Sequence, residues 1–473
     1  MLERPVLRLS LRAQRCAALL ALALAAFGCA SSNEDPTRPN LVLITLDTTR
    51  ADHLSTYGYF RETSPFLDEL AGEALVFERM IVPMATTLPT HMSILTGTHP
   101  LEHGVLANST QGGERFVPSP LLRTFATLSQ EAGYATGGFV SAVPLLSGSG
   151  AEIGFDVYSQ PEGKSRPGNQ TADSAIAWLR KRGSQPFFLW VHFYDAHYPF
   201  EAPQGFAGSF STDDALEAYI AERRIPDTAP RPLVDEIDVA RDVINRYDAE
   251  ILFADSQLGR ILEALRERKD WDNTAVVVAG DHGEGLCQHG LAAHGSTWNE
   301  QLRAPLVIRV PGQAPRRIDT PLSSMDVLPI LMNLVSPPQA EPLLAQATGR
   351  NVLDKDLGVR VLLSQDTGRD REDGVPFRWA LGFGRWKLFR LEHPDGRVTE
   401  ELYDLESDPY ELHDVALAQP QRVKALSEAL TREIELRRER GLALRAGKQP
   451  ETRAEDPAVL EQLKALGYVV DEE

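Results

Sequence analysis

The chain of 473 residues carries 67 Asp and Glu against 48 Lys and Arg, a formal charge of −19, which leaves no basic face for neutralising nucleic-acid phosphates. A hydrophobic share of 42% with 24% charged residues excludes a disordered chain, while the acidic excess still admits an anionic substrate where a metal ion dominates the local field. Three cysteines, Cys16, Cys29 and Cys287, are too few for a disulfide framework, and the length suits one large domain with a smaller one.

The first predicted element is a targeting segment. Arg4, Arg8, Arg12 and Arg15 precede an apolar run from Ala17 to Phe27. That run is too short for a bilayer span, which needs about 20 residues, so 1–28 reads as a signal peptide. Its end, Ala26-Phe27-Gly28-Cys29, resembles a bacterial lipobox. The resemblance implies an exported cell-envelope lipoprotein, attached to the membrane through Cys29. Cleavage after Ala30 is the other reading and gives a periplasmic or secreted protein. The polar stretch that follows makes 29–39 a tether.

From residue 40 onward, apolar runs predict strands at 41–46 (LVLITL), 187–193 (FFLWVHF) and 274–280 (TAVVVAG). Continuous apolarity marks strands covered on both faces. Between them, Ile244, Tyr247, Ile251, Leu258, Ile261 and Leu265 recur at helical spacing and predict a helix over 243–268. Strands alternating with helices give an α/β domain over 40–350, a mainly parallel sheet flanked by helices. Sites in such sheets form beyond the carboxyl ends of the strands. Each run here ends in a polar cluster: Asp47, then Asp195 and His197, then Asp281 and His282. A Pro-rich surface loop is expected at 226–232. Beyond it, strand-like segments at 379–389 and 400–405 and a charged amphipathic helix at 420–440 predict a smaller α+β domain over 351–473. Its apolar end, 463–470, is expected to fold back onto the body.

Ordered motifs carry a family resemblance from 40 to 417. Asp47-Thr48-Thr49-Arg50, Thr87-Leu88-Pro89-Thr90-His91, Leu95-Thr96-Gly97, Asp281-His282-Gly283-Glu284 and His294-Gly295 are similar to the sulfatase family of the alkaline-phosphatase superfamily. So are Arg303-Ala304-Pro305-Leu306, Met325-Asp326-Val327-Leu328-Pro329 and Glu401-Leu402-Tyr403-Asp404-Leu405, with a closing Leu466-Gly467-Tyr468. The resemblance implies an alkaline-phosphatase-like fold and one divalent metal ion held by Asp47, Asp281, His282 and the Thr87 hydroxyl. Carboxylates favour Ca²⁺, Mg²⁺ or Mn²⁺, and the imidazole leans toward Mn²⁺ or Zn²⁺. Many relatives have a second Asp where this chain has Thr48, which argues against a four-carboxylate calcium cage. His197 and His294 match residues that contact the anion or the leaving group, and either can move a proton near neutral pH. Arg50, His91 and Asp195 are candidate substrate contacts; Arg50 reads equally as a structural ion pair.

Thr87 takes the nucleophile position, just before a short helix with Pro89 in its first turn and Gly97 at its end. It reads alternatively as an N-cap. Relatives that cleave sulfate carry Cys or Ser there, oxidised to formylglycine, with Arg four residues on. Thr87 and His91 depart from that pattern, and threonine oxidation would give a ketone, so no formylglycine is expected. A threonine nucleophile resembles that of nucleotide phosphodiesterases, phosphoethanolamine transferases and lipoteichoic acid synthase, relatives on the same fold. The sequence thus reads as a metal-dependent hydrolase of small anionic esters, phosphodiester or phosphonate favoured over sulfate. A transferase of the same chemistry and an inactive binding lipoprotein are the alternatives.

Overall fold

Three strands of seven consecutive buried residues, each containing one of the predicted apolar runs, build the centre of the fold. The computed structural model describes residues 38–110, 112–226, 240–354, 358, 360–367, 375–465 and 469. The leader with Cys29, most of the tether, most of the Pro-rich loop and the closing Leu466-Gly467-Tyr468 lie outside the described residues. Pro39–Glu473 form one compact unit.

In chain order the strands are β1 (Asn40–Leu46), β2 (Leu75–Ile81), β3 (Arg115–Val117), β4 (Ala135–Val140), β5 (Val157–Ser159), β6 (Phe187–Phe193), β7 (Thr274–Gly280), β8 (Arg303–Arg309), β9 (Arg316–Ile318) and β10 (Leu322–Ser323). All of these except β3 join one nine-stranded sheet in the order β10–β2–β8–β7–β1–β6–β4–β5, with β9 paired to β2. β1 runs parallel to both β6 and β7. β8 is antiparallel to β7 and β2, so the sheet is mainly parallel but mixed.

Strand periodicity divides the core into two layers. Leu41 and Leu43 of β1, Phe188 and Trp190 of β6, and Ala275, Val277 and Ala279 of β7 face one side. There they meet Leu88, Met92, Ile94 and Leu95 of the helix Thr87–Thr96. Val42, Ile44, Leu189, Val191, Val276 and Val278 face the other side. That layer is closed by the helix Ala240–Arg266, the counterpart of the predicted 243–268, through Tyr247, Ile251, Leu258, Ile261 and Leu265. Each buried Val or Leu contributes about 1.5–3 kcal/mol, so a charged or polar side chain at this level needs a partner or a ligand.

β11 (Val361–Gln365), β12 (Phe377–Phe383), β13 (Trp386–Glu392) and β14 (Val398–Asp404) form an antiparallel sheet in that order. The helix Pro420–Leu444 covers one face with Leu426, Leu430 and Ile434. The other face presents Phe389, Leu391 and Tyr403 to Trp298 of the main body. Beside them Lys387, only 3% exposed, pairs with Glu411 at 2.6 Å and donates to Asn299 Oδ1 at 2.8 Å. Asn299 N in turn donates to Glu411 Oε2, and Thr367 N donates to Gly295 O. The segment that follows His282 is thereby clamped between the two sheets. The chain end returns as expected, with Leu463 and Val469 against Val143 and Leu146, while β15 (Glu451–Arg453) pairs with β3.

Candidate active site

Strand parity decides what reaches the site. Asp47 continues the series Leu41, Leu43, Thr45; Asp281 continues Ala275, Val277, Ala279; His192 continues Phe188, Trp190. All three therefore face the helix that begins at Thr87. The ladder extends past the strand ends, where Asp47 N donates to Phe193 O at 2.9 Å and Asp281 N to Leu46 O at 3.2 Å. This brings the two carboxylates side by side. Thr48, held at φ 46°, donates its amide to Asp281 Oδ1 at 3.1 Å and its hydroxyl to the Ala196 carbonyl at 2.5 Å.

Asp47, Asp281 and His282 are fully buried and offer ligand atoms within 4.8 Å of one another. His282 Nε2 lies 3.8 Å from Asp47 Oδ1 and 3.6 Å from Asp281 Oδ2. His282 Nδ1 donates to the Gly283 carbonyl at 2.9 Å, which leaves Nε2 with its lone pair. Both Asp47 oxygens, Asp281 Oδ2, His282 Nε2 and Thr87 Oγ1 are buried without a hydrogen-bond partner. Each such atom costs about 1–3 kcal/mol, so this many in one place call for a ligand. Burial pushes Asp47 up to about 8. Burial and the adjacent Asp47 carboxylate raise Asp281 as well. Burial, then His294, holds His282 well below the usual imidazole range and hence neutral. Two carboxylates that resist ionising together, beside a neutral imidazole, are the donor set a divalent cation fits.

Thr87 is the first residue of its helix, and Thr86 stands at the N-cap, so the capping role considered for Thr87 does not apply. Leu88 N donates to Asn108 Oδ1 at 2.9 Å, leaving Asn108 Nδ2 buried and unpartnered next to the helix start. Next to His282, His294 Nδ1 donates to Glu284 Oε2 at 3.1 Å. The His294 ring lies 4.5 Å from that of His282 and 5.1 Å from that of His197. His197 Nδ1 is fixed between Tyr198 O at 2.6 Å and the Tyr194 hydroxyl at 2.7 Å. The His282, His294 and His197 imidazoles thus lie next to one another beside the carboxylates.

The Sulfatase family model matches residues 39–336, well over half of the chain. The chain belongs to the sulfatase family. It is 24% identical to an arylsulfatase of Clostridium perfringens over 483 residues, covering 85% of this chain and 95% of the relative. It is 25% identical to the multifunctional alkaline phosphatase superfamily protein PehA of Trinickia caryophylli over 378 residues, covering 63% and 73%. The crystal structure of a phosphonate monoester hydrolase from Agrobacterium radiobacter superimposes with a TM-score of 0.64 at 21% identity, covering 88% of this chain and 100% of the other. The predicted α/β fold with its smaller sheet is thus shared with these structures, and the chain is an ester-hydrolysing enzyme of the alkaline-phosphatase superfamily.

In this sulfatase-family enzyme, the three expected substrate contacts all make hydrogen bonds within the protein. Arg50 is fully buried in an ion pair with Asp52 and also donates to Tyr219, Gln288 and the Glu284 carbonyl. It braces the segment after His282. His91 Nδ1 donates to the Thr87 carbonyl at 2.7 Å and Nε2 accepts from Thr45 at 2.9 Å, so neither ring nitrogen is left for a substrate. Asp195 accepts from Gly168 N at 2.8 Å, on the side toward Glu250. Cys287 is a buried packing residue beside Tyr59 and Tyr219.

Sequence reasoning missed His192, Glu284 and Asn108. Glu284 was visible as the end of the Asp281-His282-Gly283-Glu284 motif, without a role. Asn108 carries no local signal.

The Asp195–Glu250 pair gives a pH prediction. Burial pushes Asp195 up to about 7, and burial with the Asp195 charge pushes Glu250 up to about 9. A carboxyl with a raised folded-state value stabilises the fold below its unfolded value, and that contribution is lost as pH rises through the folded one. Glu250→Gln should therefore leave stability near pH 4 almost unchanged and raise it by several kcal/mol near pH 9. Denaturant midpoints at the two pH values measure this; an equal shift at both would refute it.

Proposed function

We propose that this enzyme hydrolyses small anionic esters through Thr87, with phosphodiesters and phosphonate monoesters preferred to sulfate esters. The observation that carries the reading is the Thr87 hydroxyl, buried and unpartnered at the start of a helix. His91, whose Nδ1 donates to the Thr87 carbonyl at 2.7 Å, lies 3.7 Å from Asp281 Oδ2, so the start of this helix borders the carboxylates. A divalent cation bound by Asp47, Asp281, His282 and the Thr87 oxygen would lower the hydroxyl pKa and neutralise charge on the ester. Thr87 Oγ1, its proton given up to solvent, forms a bond to phosphorus while the bond to the leaving oxygen breaks, and it leaves again as the alkoxide in the second half. His294, oriented through Nδ1 by Glu284, delivers the leaving group's proton from Nε2. His197 and the Asn108 amide can donate to the non-bridging oxygens. In the second half, His294 takes a proton from water, which attacks phosphorus and frees Thr87.

The preference for phosphorus follows from threonine itself. A formylglycine hydrate has a second hydroxyl that expels sulfate by C–O cleavage, and Thr87 has none. Attack at phosphorus needs no such group. Wild-type enzyme supplied with Mn²⁺ or Zn²⁺ should turn over aryl phosphodiesters or phosphonate monoesters at least about tenfold faster in kcat/KM than aryl sulfates. Repeated turnover of an aryl sulfate above every phosphoester tested would return the protein to sulfate chemistry.

The leader supports a further part of the same reading, an exported lipoprotein anchored at Cys29. No helix of the described residues is long and apolar enough to cross a membrane. In a bacterial host the protein should sediment with membranes, and Cys29→Ser should release it or block processing. A soluble wild type beginning at Ser31 would show ordinary secretion.

A further inference from the structure

His192 belongs to none of the motifs that carry the family resemblance, yet β6 delivers it to the cation cluster fully buried. Its Nε2 lies 3.2 Å from Asp47 Oδ2. The pair lacks hydrogen-bond alignment, and both atoms, with His192 Nδ1, have no hydrogen-bond partner among the described residues. A buried histidine kept for packing ordinarily donates at least one ring N–H. Two polar atoms that approach this closely without bonding to each other converge on a third body.

The spacing around that point suits a small cation. His192 Nε2 to Asp47 Oδ2 is 3.2 Å, and His282 Nε2 stands 3.8 Å and 3.6 Å from the nearest Asp47 and Asp281 oxygens. An ion with bonds of about 2.0–2.2 Å separates neighbouring ligands by about 2.9–3.6 Å, from octahedral to tetrahedral, so the 3.2 Å and 3.6 Å separations fall in that range and the 3.8 Å one lies just beyond it. His192 also lies with His91 within 4.8 Å of Asp281, in a group that shares Asp281 with the group formed by Asp47, Asp281 and His282. At the position where many relatives have a second Asp, the Thr48 hydroxyl is turned to the Ala196 carbonyl and is unavailable.

We infer that His192 binds the cation directly through Nε2, in place of the missing carboxylate, so that the centre presents two imidazoles and two carboxylates. The inference rests on the reading of Asp47, Asp281 and His282 as a cation site. Its consequence is selectivity. Imidazole nitrogen adds little for calcium and much for zinc, manganese or cobalt, so the site takes a first-row transition ion over Ca²⁺.

Cobalt(II) tests this without an activity assay. Metal-free wild type should bind one Co²⁺ per chain, with visible d–d absorption that a large excess of Ca²⁺ does not abolish. X-ray absorption on the cobalt form should show outer-ring scattering from two imidazoles. His192→Gln should bind Co²⁺ at least about 100-fold more weakly, beyond the usual effect of losing an outer partner, with an altered spectrum. Scattering from one imidazole only, or an unchanged spectrum and affinity in His192→Gln, would overturn the inference and leave the cation site standing. A wild type that binds no metal would remove the cation site itself. The X-ray absorption arm needs no variant, so it decides even if His192→Gln does not fold.

Discussion

Alanine at position 87 should lower kcat/KM for an aryl phosphodiester by roughly four to six orders of magnitude, the scale seen when a covalent nucleophile is removed. The fold should barely respond. The Thr87 hydroxyl makes no hydrogen bond and Thr86, not Thr87, stands at the helix N-cap, so nothing structural is lost with the oxygen. Thr87→Ser keeps the hydroxyl and should stay within about 100-fold of wild type. A substrate-derived adduct on the Thr87 peptide after rapid quenching would mark the covalent step, and the same peptide should otherwise be unmodified. Wild-type rates in the alanine variant would place the nucleophile elsewhere.

Asp281→Asn should take metal content from about one ion per chain to near zero and lower activity at least about 1000-fold. Asparagine keeps an oxygen for the bonds that Asp281 Oδ1 accepts from Thr48 N and His282 N, so the local backbone is retained. The informative comparison is in EDTA. Asp281 is raised by burial and by the neighbouring Asp47 carboxylate, so the metal-free variant loses a repulsion and should melt at or above metal-free wild type. Adding Zn²⁺ or Mn²⁺ should then stabilise wild type alone, by about 2.7 kcal/mol at 100 times Kd. A variant that keeps its metal and its activity would remove Asp281 from the site.

Much of the site was legible because a polar residue after a buried strand has no other reason to be there. Asp47, Asp281 and His282 announce themselves by ending continuous apolar runs. His192 was hidden by the same signal, since its six apolar neighbours made the run look uniform. Period-two counting would have found it, because it shares a face with Phe188 and Trp190, and that face leads to the Thr87 helix. Arg50 shows the opposite limit: its charge was plain, but its direction was set by Tyr219 and Gln288, both more than 160 residues away. His91 likewise has its second ring nitrogen taken by Thr45 of the facing strand β1, a partner far from it in sequence. In the fold, the three central strands and the long helix followed from pattern alone. The reversed direction of β8 did not, because an apolar run reads the same way in either orientation.

The clamp on the segment after His282 bears on when the enzyme can begin to work. Asp47, Thr87, His192, Asp281, His282 and His294 are all in place in the chain by residue 294. The partners that fix the loop around His294 come afterward: Thr367 for Gly295, Arg378 for Ser296, and Lys387 with Glu411 for Asn299. A chain emerging amino end first therefore presents every reactive group before it has the scaffold that aims the proton donor. Ester cleavage should switch on late, once the small sheet has been delivered and has closed over that loop.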